Sequence, residues 1–294
     1  MVNPLNPKKE TSEKKISFTD ADIINWIKEK RSITTNSVCV MFVGHPKTGK
    51  TGCALDCRTD EEIKSNKKII AIELNSDQGC EINRNKHHNN DQNIIILNPR
   101  EYSYDEKGEW QPDYIKTMAK IKSLLQYLKN NIDDVAAIVF DGLDIFLTEI
   151  CESQMRIDEH IDITGGVSLR YWQKRNEYYY KILNMLLDIN TNKYLITHFT
   201  SRRRDDKTGA YDDDRLVSKV DDKFVHACQK NTPDKVHQIV EFHDNTKIVD
   251  GKPVIELVAT IVSDRTNLIT HMKKVVIAKN EEDKIIWNGK ALLR

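Results

Sequence analysis

The chain has 294 residues, enough for one large α/β core, and its 45 Lys and Arg balance 45 Asp and Glu to a net charge of zero. Overall charge therefore gives no support for bulk attraction to nucleic acid or to a membrane surface, and only a local patch could supply it. The six cysteines form no paired CxxC motif, which suits a reducing cytosol, and no apolar run approaches the roughly 18 residues that span a bilayer.

Residues 1–17 are rich in Pro, Lys and Glu with little to bury, and read as a flexible tail. They hold no apolar h-region, so no secretory leader is expected. A single domain is expected over 18–294. "TDADIINWIKEK" predicts a capped helix that starts at Thr19 or Asp20 and has Ile23, Ile24, Trp26 and Ile27 as its apolar positions. "SVCVMFV" (37–43) is β-rich and predicts a buried parallel strand.

That run stops at a glycine. Gly44, His45, Pro46, Lys47, Thr48, Gly49, Lys50, Thr51 and Gly52 follow the spacing G-x-x-x-x-G-K-T of a P-loop, or Walker A element. The glycines let successive N–H groups turn inward onto an anion. Lys50 supplies a point charge for the β- and γ-phosphates, Thr51 a hydroxyl oxygen for Mg²⁺, and the helix that starts here adds its positive end. With only 11 glycines in the chain, this spacing is not expected by chance. ATP and Mg²⁺ are the expected ligands. Cys53 and Cys57 share a face of that helix, where packing is expected rather than zinc.

"KKIIAIEL" (67–74) and "NIIILN" (93–98) predict two more strands, joined by the polar connection "NSDQGCEINRNKHHNNDQ". "PREYSYDEKGEWQPD" reads as a loop or small insertion, and "YIKTMAKIKSLLQYLKNN" as a helix. "DVAAIVFDGLDIF" (134–146) is an apolar strand ending in acids; its Asp141 is placed to hold Mg²⁺ through water, as in a Walker B element. A long helix is predicted over 168–189 and a strand over 193–199. That strand ends in Thr197 and His198, where a polar group can sense a γ-phosphate by hydrogen bonding. The charged loop "TSRRRDDKTGAYDDDR" follows. The C-terminal third predicts a helix near 215–229, strands at 236–243 and 253–263 joined by a turn at "DGKP" (250–253), and a closing strand in "DKIIWNGKALL". Strands alternating with helices imply a parallel, helix-covered sheet.

"GHPKTGKT", "IELNSDQG", "IVFDGLD" and "YLITHF" together resemble the RecA-like branch of P-loop ATPases. They look most like the compact AAA-type, RecA-core nucleotide-binding proteins of phages and mobile elements, over about residues 37–265. The resemblance implies an α/β fold, a RecA-like P-loop NTPase with a mostly parallel central sheet flanked by helices and with C-terminal antiparallel strands. It places the Thr197/His198 strand between the P-loop strand and the Asp141 strand. It also implies a catalytic base after the strand that follows the P-loop helix: Asp77, just past that strand, is preferred, with Glu73 inside it as the alternative. Gly142 stands where AAA+ ATPases carry their glutamate, which moves the base elsewhere. RecA-like sites are often completed in a homo-oligomer by a neighbour's Arg or Lys, and Arg265 in "IVSDRTN" is the candidate. Loops on this side of such proteins contact single-stranded DNA; here Arg202, Arg203 and Arg204 could grip phosphates and Tyr211 stack on a base. Asp205, Asp206, Asp212, Asp213 and Asp214 nearly cancel that charge. "HHNNDQN" and the segment after 265 have no counterpart in the resemblance. "FDGLDIF" also resembles the Walker B of NACHT-type signalling ATPases, whose downstream helical domain is not expected in a chain of this length.

Two functions follow as expectations. The first is a cytoplasmic, Mg-dependent ATPase, not membrane-bound, that assists DNA recombination or repair of the single-strand annealing type. The alternative is a nucleotide-gated interaction or signalling protein that binds ATP with little turnover. A P-loop kinase is a third class, but no lid or acceptor pocket is evident in the sequence.

Overall fold

In a computed structural model, the described residues are 37–294 without 106, 163–164, 204–207, 210–214, 250, 282–283 and 293–294, together with Ala21 and Ile24. The chain divides into two units, residues 1–36 and 37–294. In the first, Ala21 and Ile24 are helical and exposed. The rest of the predicted tail and helix, Thr19 and Asp20 included, lies outside the described residues.

The second unit is built on β1 (Cys39–Gly44), β2 (Lys68–Glu73), β3 (Ile94–Leu97), β4 (Tyr102–Tyr104), β5 (Trp110–Pro112), β6 (Val135–Asp141) and β7 (Asn192–Ser201). Then come β8 (Phe224–His226), β9 (Gln238–Asp244), β10 (Lys247–Val249), β11 (Lys252–Val254), β12 (Glu256–Asp264), β13 (Lys274–Glu281) and β14 (Lys284–Trp287). The main sheet runs β14-β13-β12-β9-β1-β7-β6-β2-β3, with β8 added on β7. β9, β1, β7, β6, β2 and β3 are parallel, and β12, β13 and β14 are antiparallel. The strand of Thr197 and His198 thus lies between the P-loop strand and the Asp141 strand, as the resemblance implies.

β1 and β6 are buried along their whole length, which explains why they read as unbroken apolar runs. One face of the sheet, with Met41, Val43, Ile72, Phe140 and Leu195, packs on helices Tyr114–Asn130 and Leu169–Leu187 and on the π-helical stretch Phe146–Cys151. The other face, with Val40, Phe42, Ala71, Val139 and Ile196, packs on the short P-loop helix Lys50–Leu55 and on Cys57, Cys80 and Leu292. All six cysteines are free and buried, Cys53 and Cys57 within this second layer.

Several elements depart from the sequence reading. The polar connection after β2 contains a helix, Gly79–His87, and a capped turn of helix, Asp60–Lys64, precedes β2. The segment at 99–113 forms the hairpin β4–β5, and the hairpin β10–β11 stands between β9 and β12 where only a turn was expected. β13 was not foreseen. The helix predicted near 215–229 is absent among the described residues, replaced by turns, a bridge from Val217 to Val225, and β8. Ser218 explains part of this: its hydroxyl accepts from the N–H groups of Val220 and Asp221, offering the backbone an alternative to helix. Among the described residues no helix is long and apolar enough to cross a membrane.

Candidate nucleotide-binding site

β1 delivers the chain to the C-terminal edge of the parallel sheet, where the backbone curls before starting a helix at Lys50. Lys47 (φ 67°) and Gly49 (φ 87°) both adopt the left-handed conformation. At Gly49 a Cβ would also crowd the end of the Leu257 side chain, 2.7 Å from its Cδ1. The Thr48 hydroxyl donates to the His45 carbonyl at 2.8 Å and tightens the loop. Lys50 Nζ donates to the carbonyls of Gly44 (2.9 Å) and His45 (2.7 Å). The loop thus wraps a buried ammonium. Burial pulls Lys50 down to about 8, against the opposing pull of Asp141 and Asp144, so the group remains largely protonated at neutral pH and suits an incoming anion.

Asp141 ends β6 and is fully buried. Its Oδ2 accepts from the Thr51 hydroxyl at 2.7 Å and lies 3.6 Å from Cys80 Sγ, while Oδ1 accepts from the Asn75 amide at 2.9 Å. Burial raises Asp141, opposed by Thr51, Lys50, Cys80 and His198. Thr51 and Asp141 therefore offer two hard oxygens side by side, the donor set for Mg²⁺. Among the described residues no group of three or more His, Cys, Asp or Glu is set to hold a metal by itself, so water and phosphate would complete such a shell.

Glu73 is the last residue of β2 and pairs in register with Asp141. It is buried, and it accepts from the Cys80 N–H at 2.7 Å. Burial pushes it up to about 7; the Cys80 amide opposes this, while Asp141 and Asp77 add to it. Asp77 is exposed and accepts from the Gly79 N–H at 3.2 Å, so it caps the same helix from outside. His198 lies beside Gly44 in register, and its Nδ1 is 2.9 Å from Asp144 Oδ2. The Thr197 hydroxyl is turned instead to the Ala227 carbonyl at 2.8 Å.

Lys50, Thr51, Asp141, Glu73 and His198 thus share one edge of the sheet. Arg265 does not join them. It follows antiparallel β12, whose end pairs with the start of β9 at the opposite edge, and it bonds the Asp234 carbonyl at 2.7 Å. Asn75, Cys80 and Asp144 are site residues that spacing did not single out, although Asn75 and Asp144 lie within quoted motifs. A cleft of about 530 Å³ opens beside the P-loop, lined by Lys47, Lys50, Thr51, Asn83, His87 and Trp287, with Pro253, Ile255 and Leu257 as its apolar wall. Gly52 is closed off by Trp287, whose ring a Cβ there would overlap.

On the far side of β7, a second cleft of about 590 Å³ is lined by Trp172, Arg175, Arg203, Arg215 and Lys230, with Glu152 among them. The Arg175 guanidinium stacks 4.1 Å above the Trp172 ring. Arg202 and Arg203 follow β7 directly; Arg204, Tyr211 and the five aspartates of that loop lie outside the described residues.

No curated protein matches the chain in sequence. A solved structure similar to it is that of a KaiC-like protein from the hyperthermophilic archaeon Pyrococcus horikoshii, 14% identical, with a TM-score of 0.45 over 85% of this chain and 89% of that one. A family model described as an AAA domain matches residues 36–281, a span that takes in the P-loop, the Asp141 strand and the antiparallel strands through β13. The chain belongs to this AAA domain family, with a P-loop at the edge of a mostly parallel sheet.

Proposed function

We propose that the chain binds MgATP at the P-loop and hydrolyses it, with Glu73 rather than Asp77 as the base. The observation that carries this is the Thr51–Asp141 hydrogen bond with Glu73 one strand away in register. Lys50 and the loop N–H groups hold the β- and γ-phosphates, and the 530 Å³ cleft takes the nucleoside. Thr51 and Asp141 would hold Mg²⁺, which supplies charge neutralisation on the phosphates when bound. Glu73 accepts a proton from the attacking water, whose oxygen bonds the γ-phosphorus as the bond to the β–γ bridging oxygen breaks; ADP and phosphate leave. A carboxyl raised to about 7 is poised for this at neutral pH, whereas Asp77 is solvated outside the site.

Calorimetry and phosphate-release assays test the assignment. Lys50→Ala should lose ATP affinity steeply with the fold intact. Glu73→Gln should keep ATP affinity and lose hydrolysis by about 100-fold or more, with Asp77→Asn close to the parent. The reverse pattern moves the base to Asp77. A parent that binds ATP with little turnover favours the nucleotide-gated reading instead, and parental turnover in both variants removes both carboxylates as the base.

As partner we infer single-stranded DNA, in recombination or repair. The support is the second cleft, where a cation-stacked tryptophan and four basic residues stand beside one carboxylate among the described lining.

A further inference from the structure

Asp141 is held from two sides, and one of the holders has no part in the reaction above. Asn75 stands two residues past β2, in the turn between Glu73 and the helix Gly79–His87. Its Nδ2 donates to Asp141 Oδ1 at 2.9 Å across 66 residues of sequence. The amide presents its NH₂ to Asp141, whose Oδ1 accepts. The turn is pressed against the end of β6: at Gly142, with φ 107°, a Cβ would lie 3.1 Å from Leu74 Cβ and 3.4 Å from Asn75 Oδ1.

We propose that Asn75 is a positioning residue for the metal, holding Oδ1 of Asp141 so that Oδ2 faces the Thr51 hydroxyl where Mg²⁺ would be received. The proposal rests on the MgATP reading of this site. Its physical basis is a division of labour between the two oxygens. Oδ2 faces Thr51 (2.7 Å) and Cys80 (3.6 Å), the side a cation would approach. A buried carboxylate held only on that side would be free to turn as the Thr51 oxygen is recruited by a metal; the Asn75 N–H is on the other side and is not recruited. An amide is also the right donor in charge terms. It stabilises the ionised carboxylate without neutralising it, whereas Lys or Arg in its place would compete with the cation for the same negative charge.

The test measures ADP binding by calorimetry in EDTA and in Mg²⁺, so that it does not depend on turnover. In the parent, Mg²⁺ should tighten ADP binding. In Asn75→Ala, the affinity in EDTA should stay within about two-fold of the parent, while the Mg²⁺-dependent tightening falls about ten-fold. Asn75→Ser, too short to reach Oδ1, should behave alike and serves if the alanine variant folds poorly. In an Asp141→Asn background, Asn75→Ala should have no further effect on the Mg²⁺ response, because the two residues act through one contact. A parental Mg²⁺ response in Asn75→Ala, or an effect that adds in full to that of Asp141→Asn, overturns the proposal. So does a parallel loss of EDTA affinity and melting temperature in both position-75 variants, which would assign Asn75 to the fold alone. A parent protein that binds no ADP under either condition overturns the nucleotide-site reading instead.

Discussion

Glu73 and Asp141 are register neighbours at one sheet edge, yet they are held differently: Asp141 by the side chains of Thr51, Asn75 and Cys80, Glu73 by a backbone N–H. The consequence for Glu73 is a carboxyl raised by burial to about 7. Its unfolded counterpart titrates near the ordinary glutamate value of about 4.3. Between those values the folded chain binds a proton that the unfolded chain has lost. Stability from this group is therefore full below about pH 4 and is lost as pH rises through about 7. Glu73→Gln removes the dependence. Without nucleotide, the variant should be more stable than the parent above pH 7, by up to about 3 kcal/mol, and should show a flatter profile between pH 5 and 8. Urea melts at both ends of that range check it, and identical slopes in parent and variant would refute the burial argument. At this scale, Lys50, Thr51 and Asp141 were legible because local spacing fixes their chemistry. Asn75, Cys80 and Asp144 were not, since their roles arise only where β2, β6 and β7 converge. The sequence favours Asp77, just past the strand, over Glu73 inside it; the structure buries Glu73, but at the strand's last position, with the Cys80 N–H to satisfy it.

The elements tell a similar story. Strands buried on both faces carry continuous apolar runs and were legible, as was the long helix Leu169–Leu187 with its apolar stripe of Tyr179, Ile182, Leu183 and Leu186. The helix Gly79–His87 was hidden because Cys80 is its one buried residue and its first N–H groups are satisfied by Asp77 and Glu73 rather than by a cap at its own start. The segment around β8 was misread because what fixes it is a distant carboxylate. Glu241 of β9 is fully buried, accepts from the Ser218 hydroxyl at 2.9 Å and the Lys219 N–H at 3.2 Å, and pairs with buried His226 Nε2 at 2.8 Å. β9 lies directly beside the P-loop strand, so this carboxylate ties the segment that follows the Arg202 loop to the sheet. Glu241→Ala strands a buried imidazole and a hydroxyl, and should cost about 3–5 kcal/mol; Glu241→Gln, which keeps an acceptor, should cost about 1–3 kcal/mol. Chemical denaturation decides. A loss below about 1 kcal/mol for the alanine variant would show that β8 is held by its ladder with β7 alone.

On the scale of the molecule, the sheet separates two clefts. The P-loop helix and Trp287 bound one; the helix Leu169–Leu187 and the π-helical stretch bound the other. β7 runs between them, with His198 tied to Asp144 beside the P-loop and Arg202 and Arg203 just beyond its end. One strand thus places His198 and the two arginines within a few residues of each other. If that cleft binds single-stranded DNA, its two kinds of contact should separate experimentally. Trp172→Ala removes a stacking platform, which should weaken binding by about 1–3 kcal/mol and leave the salt dependence unchanged, because stacking releases no counterions. Arg203→Ala removes one phosphate contact, which should lower the slope of log affinity against log salt by about 0.7. ATP affinity should be unaltered in both, since neither residue lines the nucleotide cleft. Fluorescence anisotropy of a labelled oligonucleotide across a salt series, with ATP present, measures the first two, and ATP calorimetry measures the third. Should the parent protein bind no single-stranded DNA even at low salt, the recombination role falls, and the stacked tryptophan with its basic surround becomes a surface for an acidic protein partner.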